Sequence, residues 1–256
     1  MDKYAIFLDF DSTLSQHNTI SEENCRVLRK VQELGHYIFI NTGRNYQGIA
    51  PVASKYHSFS GYVSGLGSYI TLGDEVLYEK FFDFETVETA VRKLLGKEYV
   101  AIATTVDRGY VMNPKKEQLE FFTQIPSLKF LRENCRNDKF QKIESENTVW
   151  TEEEVEFWHS LGTTFFHQGY TECCPVGCSK SKAIEIVAKK LGIKMENTIA
   201  MGDSANDIDM LAAAGIGVVM GNAPDFMKEN ADFVTKSCTE HGVAHALCEL
   251  ILNKKA

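Results

Sequence analysis

The stretch Tyr4-Ala5-Ile6-Phe7-Leu8-Asp9-Phe10-Asp11-Ser12-Thr13-Leu14 joins an unbroken apolar run to two carboxylates and two hydroxyls. Such a run reads as a strand buried on both faces, with the polar residues just past its end. A lone carboxylate there would be a cap or turn residue. Two of them, matched by a second acidic cluster at Gly202-Asp203-Ser204-Ala205-Asn206-Asp207, suggest a divalent-cation site instead.

Outward from this strand, Ser21 can cap a helix whose apolar positions Val27, Leu28, Val31 and Leu34 recur at helical spacing before Gly35. Residues 37–41 then read as the next strand. The same order returns after residue 176, with a helix bearing Ala183, Ile184, Val187 and Leu191 and strands near 198–201 and 217–220. Strand, helix, strand repeated in this way predicts a parallel α/β sheet with helices on both faces. The middle differs: 84–95 and 152–160 read as helices, and 99–106, 110–112 and 163–173 as extended. This predicts a separate α+β unit over about 82–172, interrupting a core built from 1–81 and 173–256. Lys254-Lys255 reads as a frayed basic helix end.

The chain has 256 residues, 44% hydrophobic and 24% charged, enough apolar content for a substantial core. A formal charge of -8 argues against a mainly electrostatic grip on nucleic acid or anionic lipid, and favours a small-molecule partner. No secretory pattern or membrane-spanning apolar segment is visible, so a cytoplasmic address is expected. Seven cysteines is an odd number in a chain too long to need disulfide stapling, so reduced thiols are expected. Cys173, Cys174 and Cys178 lack the paired spacing of a zinc site.

The carboxylates suit phosphoryl chemistry. An aspartate can attack phosphorus to give an aspartyl-phosphate, which splits a difficult hydrolysis into two easier displacements; Asp9 is the candidate nucleophile. The departing alkoxide needs a proton and the later water must lose one, so a second carboxyl must alternate between acid and base. Asp11 is placed for that. Carboxylates facing a dianionic phosphate would repel it, and Asp203 can bring a neutralising cation a further ligand; magnesium suits hard oxygen donors. Thr42-Gly43, after the apolar run ending at Asn41, offers phosphate a hydroxyl and backbone amides, and Lys180 at a helix start adds positive charge.

Together these pieces resemble the haloacid dehalogenase superfamily, in particular its Cof-type (subfamily IIB) phosphatases. Residues 9–14 resemble its first motif, Thr42-Gly43-Arg44 its second, Lys180 within Ser179-Lys180-Ser181-Lys182 its third and 202–207 its fourth; Ile208-Asp209-Met210-Leu211, Met220-Gly221-Asn222-Ala223 and Gly242-Val243-Ala244 extend the match. The resemblance implies a Rossmann-like core with an inserted α+β cap. It implies that Asp9 is the nucleophile and a magnesium ligand, that Asp11 is the acid/base and binds magnesium through its carbonyl, and that Asp203 is a further ligand. Thr42, Gly43, Lys180, Asn206 and the Phe10 amide would hold phosphate. Asp207 would support the metal through water or orient Lys180. One departure is Gly65-Leu66-Gly67-Ser68, where relatives often carry Asn-Gly-Ala, so contacts near the cap hinge are expected to differ.

Other signals have plainer readings. Residues 215–221 are glycine-rich but follow a helix and open a strand, the reverse of a dinucleotide site. Lys180-Ser181 lacks the glycine of a Walker loop. His241 and His245 read as a surface pair, and Phe81-Phe82 and Phe121-Phe122 as packing residues. The function expected is a magnesium-dependent phosphatase for a small phosphorylated metabolite, with sugar phosphates leading. A phosphohexomutase using the same intermediate, separable by a hexose bisphosphate assay, and a non-catalytic phospho-ligand sensor are the alternatives. His167, Arg108 and Arg132 are the polar candidates for substrate choice in the cap, and nothing bears on oligomeric state.

Overall fold

The computed structural model describes residues 2–147, 149–167, 169–229 and 231–253, so Lys254-Lys255 lies outside the described residues. Strand Ala5–Leu8 is wholly buried and sits inside an eight-stranded sheet, between Thr198–Gly202 and Tyr37–Asn41, parallel to both. Its side chains alternate between faces, as the pleat requires. Ile6 and Leu8 join the cluster under helix Glu22–Glu33, whereas Ala5 and Phe7 join the cluster under helix Lys180–Leu191. This two-sided burial explains why the run is continuously apolar.

Further parallel strands extend the sheet, Ile216–Val219 and Phe233–Val234 on one side and Gly61–Ser64 on the other. Beyond Gly61–Ser64 come Tyr69–Leu72 and Glu75–Glu79, both antiparallel to their neighbours. Ser21 caps the first helix by accepting from the Asn24 amide, and Val27, Leu28 and Val31 are buried as expected. Leu34 is not; it ends the helix and is 52% exposed.

The second sheet has six strands, in the order Thr123–Gln124, Gly109–Met112, Ala101–Thr105, Phe140–Ser145, Tyr170–Cys174, Thr163–His167. Helices Phe84–Leu94, Leu128–Asn134 and Glu152–Leu161 cover one face, burying Val91, Leu131 and Trp158 against Ala103, Phe140, Ile143 and Cys173. An irregularity in the register between Phe140 and Lys142, and alternation beyond it, turns Lys142, Glu144 and Glu172 to the opposite face. Two expectations change here. The extended run at 163–173 is a hairpin, with Thr163 paired to Cys174 and His167 to Tyr170. Its second strand carries the smaller sheet through Cys173 and Cys174, which the sequence had placed on the core side.

Candidate active site

Asp9, Thr42 and Asp203 each follow the last residue of a parallel strand, and the register Leu8 to Met201 and Leu8 to Ile40 brings those ends to one edge of the sheet. That edge is where open α/β sheets bind ligands. Here Asp9, Asp11, Thr42, Gly43, Asp203 and Asn206 line one cavity of about 300 Å³. Sequence reasoning had placed all six in the site.

Lys180 lies beneath them, wholly buried in the first turn of its helix. Its Nζ donates to Asp9 Oδ1 at 2.7 Å, Asp207 Oδ1 at 2.6 Å and Asn206 Oδ1 at 3.3 Å. Burial disfavours its charge, but Asp207 and Asp9 overcome that and hold its pKa above the usual lysine range. Asp207 Oδ2 is committed elsewhere, accepting from the amides of Asp203 and Ser204 and from Ser204 Oγ. Asp207 therefore binds Lys180 through one oxygen and its own loop through the other. Gly202 makes room for it: a Cβ there would come within 2.5 Å of the Asp207 side chain.

Asp9, Asp203 and Asp207 each bring a carboxylate oxygen within 4.8 Å of the others. Burial, then the nearby Asp207, raises the Asp9 pKa well above the ordinary range despite Lys180. Asp203 is pushed up to about 6 by burial and by Asp207 and Asp11, against a 2.8 Å hydrogen bond from Thr13 Oγ1. An all-oxygen set with more negative charge than Lys180 can balance fits a hard divalent cation.

Asp11 stands apart from that cluster. Its exposed carboxylate receives Arg44 Nε at 2.7 Å and Nη2 at 2.5 Å, while the guanidinium lies 5.1 Å over the Phe10 ring. Phe10, expected to contribute only its amide, buries that ring in the core. The loop Gly65–Gly67 runs in left-handed backbone at each residue, a costly conformation for Leu66. It is held there because the amides of Gly65 and Leu66 donate to the carbonyls of Arg44 and Thr42. A Cβ on Gly67 would also lie 2.2 Å from the Ser179 carbonyl. The departure noted in sequence is thus the wedge joining the Thr42 loop to the start of the Lys180 helix.

Arg44, Lys142, Tyr170 and Glu172 also line the cavity, with no role assigned to them from sequence. Arg44 was visible only as the third letter of a motif. Glu172 had a signal that went unread, a single charge in the strand Tyr170–Cys174, whereas Lys142 sits in the mixed strand Phe140–Ser145 beside a second charge, Glu144. Arg44 and Lys142 border a second cavity of about 550 Å³, reached by Arg108, Thr104 and Phe121. Phe121 is 78% exposed rather than packed. Of the other polar candidates, His167 is buried 3.2 Å from Glu172, and Arg132 pairs with Glu88 and lines neither cavity.

Residues 6–247 match the family described as haloacid dehalogenase-like hydrolase. The chain belongs to that family. It is 31% identical to the putative phosphatase YkrA of Bacillus subtilis, covering 99% of this chain and 100% of that protein. It is 30% identical to the 5-amino-6-(5-phospho-D-ribitylamino)uracil phosphatase YcsE of the same organism, over 98% and 97% of the two chains. Among solved structures, a sugar phosphatase of HAD subclass IIB superposes with a TM-score of 0.82 at 28% identity, covering 96% of this chain and 98% of that one. This haloacid dehalogenase-like hydrolase is a phosphatase of the Cof type, with a Rossmann-like core and an α+β cap. Among the described residues, no helix is long and apolar enough to cross a membrane.

Proposed function

We propose that the protein is a magnesium-dependent, cytoplasmic phosphatase that hydrolyses a small phosphorylated metabolite, with sugar phosphates the leading class, through an aspartyl-phosphate at Asp9. The observation that carries this reading is Asp9 at the floor of the cavity with one carboxylate oxygen bound to Lys180. Its other oxygen is then the one to attack phosphorus. The bond to the ester oxygen breaks as that oxygen takes a proton from Asp11. Water then gives its proton to Asp11, attacks phosphorus and frees Asp9.

Asp11 must leave Arg44 to do this. Their bidentate ion pair is about a third to a half exposed, so water replaces part of what it contributes when Asp11 turns away. Thr42, Gly43, Lys180, Asn206 and the Phe10 amide would hold the phosphoryl oxygens. Asp9, Asp203 and the Asp11 carbonyl would hold magnesium, which when bound offsets the charge of phosphate and carboxylates. The cap lies over the cavity through Lys142, Tyr170 and Glu172 and would choose the substrate.

A second reading of the substrate comes from the adjoining cavity, where exposed Phe121 offers a flat apolar surface beside polar groups. YcsE is named for a phosphorylated ribityl chain carrying a uracil ring, and this cavity suits such a molecule. Phosphate release from an aryl phosphate, then from a panel of sugar, polyol and nucleobase-bearing phosphates, tests both readings. Turnover undiminished in excess chelator would overturn the magnesium scheme, and phosphate binding with no turnover of any ester would make the protein a sensor.

A further inference from the structure

The face that the cap turns to the core carries a buried ion cluster that the chemistry above does not use. Lys142 Nζ donates to Glu172 Oε1 at 2.8 Å and to Glu144 Oε2 at 2.5 Å, and the Lys142 and Glu172 side chains are 8% and 5% exposed. Burying such a pair costs several kcal/mol per ion, so it is a poor source of net stability. What distinguishes this pair is its reach into the core. Glu172 Oε2 accepts from Asn206 Nδ2 at 2.9 Å, and Oε1 sits where a Cβ on Gly43 would come within 2.9 Å of it. One cap residue thus touches two core loops that line the phosphate cavity.

Asn206 has an acceptor-only neighbour on one side, Glu172, and a donor-only neighbour on the other, the Lys180 ammonium. With Ser204 Oγ, which donates to the same amide oxygen at 2.8 Å, they fix which way the amide points: nitrogen to the cap, oxygen to Lys180. Without the Glu172 carboxylate the amide nitrogen loses its acceptor, Asn206 is held only through its oxygen by Ser204 and Lys180, and its seat beside the ammonium slackens.

Resting on the phosphatase reading above, we propose that Glu172 is a positioning residue. It sets the Asn206 amide, and through it Lys180, so that the phosphate site is completed only when the cap is seated on the core. The experiment measures inorganic phosphate affinity by calorimetry with magnesium present, and kcat/KM for an aryl phosphate, in Glu172→Gln, Asn206→Ala and the double variant. Glutamine can serve Asn206 or Lys142 through its single carbonyl, but not both. Losing a hydrogen bond to a charged group predicts phosphate binding weaker by about tenfold to a hundredfold. If Glu172 acts through Asn206, the double variant is no worse than Asn206→Ala alone, within about twofold.

Unchanged phosphate affinity in Glu172→Gln, or losses that multiply in the double variant, overturns the proposal. Should Glu172→Gln fail to fold, Glu172→Leu with Lys142→Met and Glu144→Gln removes the whole ion cluster and leaves no orphaned charge, and it carries the same expectation. A wild type that binds phosphate without turnover sinks the hydrolase reading alone, since the coupling is still read from binding. One that binds no phosphate sinks both.

Discussion

Two clusters of buried charge face each other across the cavity, and they are in opposite states. In the core, Asp9 and Asp203 are pushed above the ordinary carboxylate range, chiefly by burial, and Lys180 does not offset it. In the cap, burial also pushes Glu172 up, but Lys142, the neighbouring His167 and the hydrogen bonds from Lys142 and Asn206 overcome it and hold the carboxyl below that range. The same penalty is answered in the cap, with one bond lent by Asn206 of the core, and left open in the core. In the cap one lysine holds two glutamates, whereas in the core three aspartates share Lys180 and could hold a cation.

The sharpest way to break this contrast is at the nucleophile. Asp9→Asn is expected to cost on the order of 10⁴-fold or more in kcat while leaving the fold intact, checked by aryl phosphate turnover alongside circular dichroism. Lys180→Met should be the most destabilising single change in the site, by roughly 3–5 kcal/mol, because it strands Asp9 and Asp207 without their shared partner. Urea denaturation measures it, and added magnesium should recover part of the loss only if the core cluster is the one open to a cation. Asp11→Asn is expected to lower kcat about a hundredfold or more without changing stability, since its tie to Arg44 is exposed; near-normal kcat would remove Asp11 from the chemistry. The smallest effect belongs to the outer rim. Arg108→Ala should leave aryl phosphate hydrolysis within about threefold while altering the ranking of larger esters, if loss of one exposed contact costs roughly 0.5 kcal/mol.

The core was legible because its signals are local. A continuously apolar strand ending in Asp9, a capped helix after Ser21 and a lysine opening the helix at Lys180 each declare themselves within a dozen residues, and register does the rest. The cap face was not, because its meaning is relational. Phe140–Ser145 reads locally as an unremarkable polar-apolar alternation, and Lys142 gains significance only when Glu172, thirty positions later, is paired with it. Likewise the hairpin at 163–174 was hidden because both its strands are extended and only two residues of sequence separate them.

The place of Ala5–Leu8 inside the large sheet also has a consequence for how the chain is made. One neighbour, Tyr37–Asn41, follows soon after it, but the other, Thr198–Gly202, leaves the ribosome only after the whole cap has been synthesised. Until then a continuously apolar strand presents an unpaired edge, a ready template for misassociation. The cap, whose contacts are all closer in sequence, can fold in the interval. The growing chain thus carries a finished lid on an unfinished vessel, and Asp203 arrives as the strand that closes the edge also completes the acidic cluster.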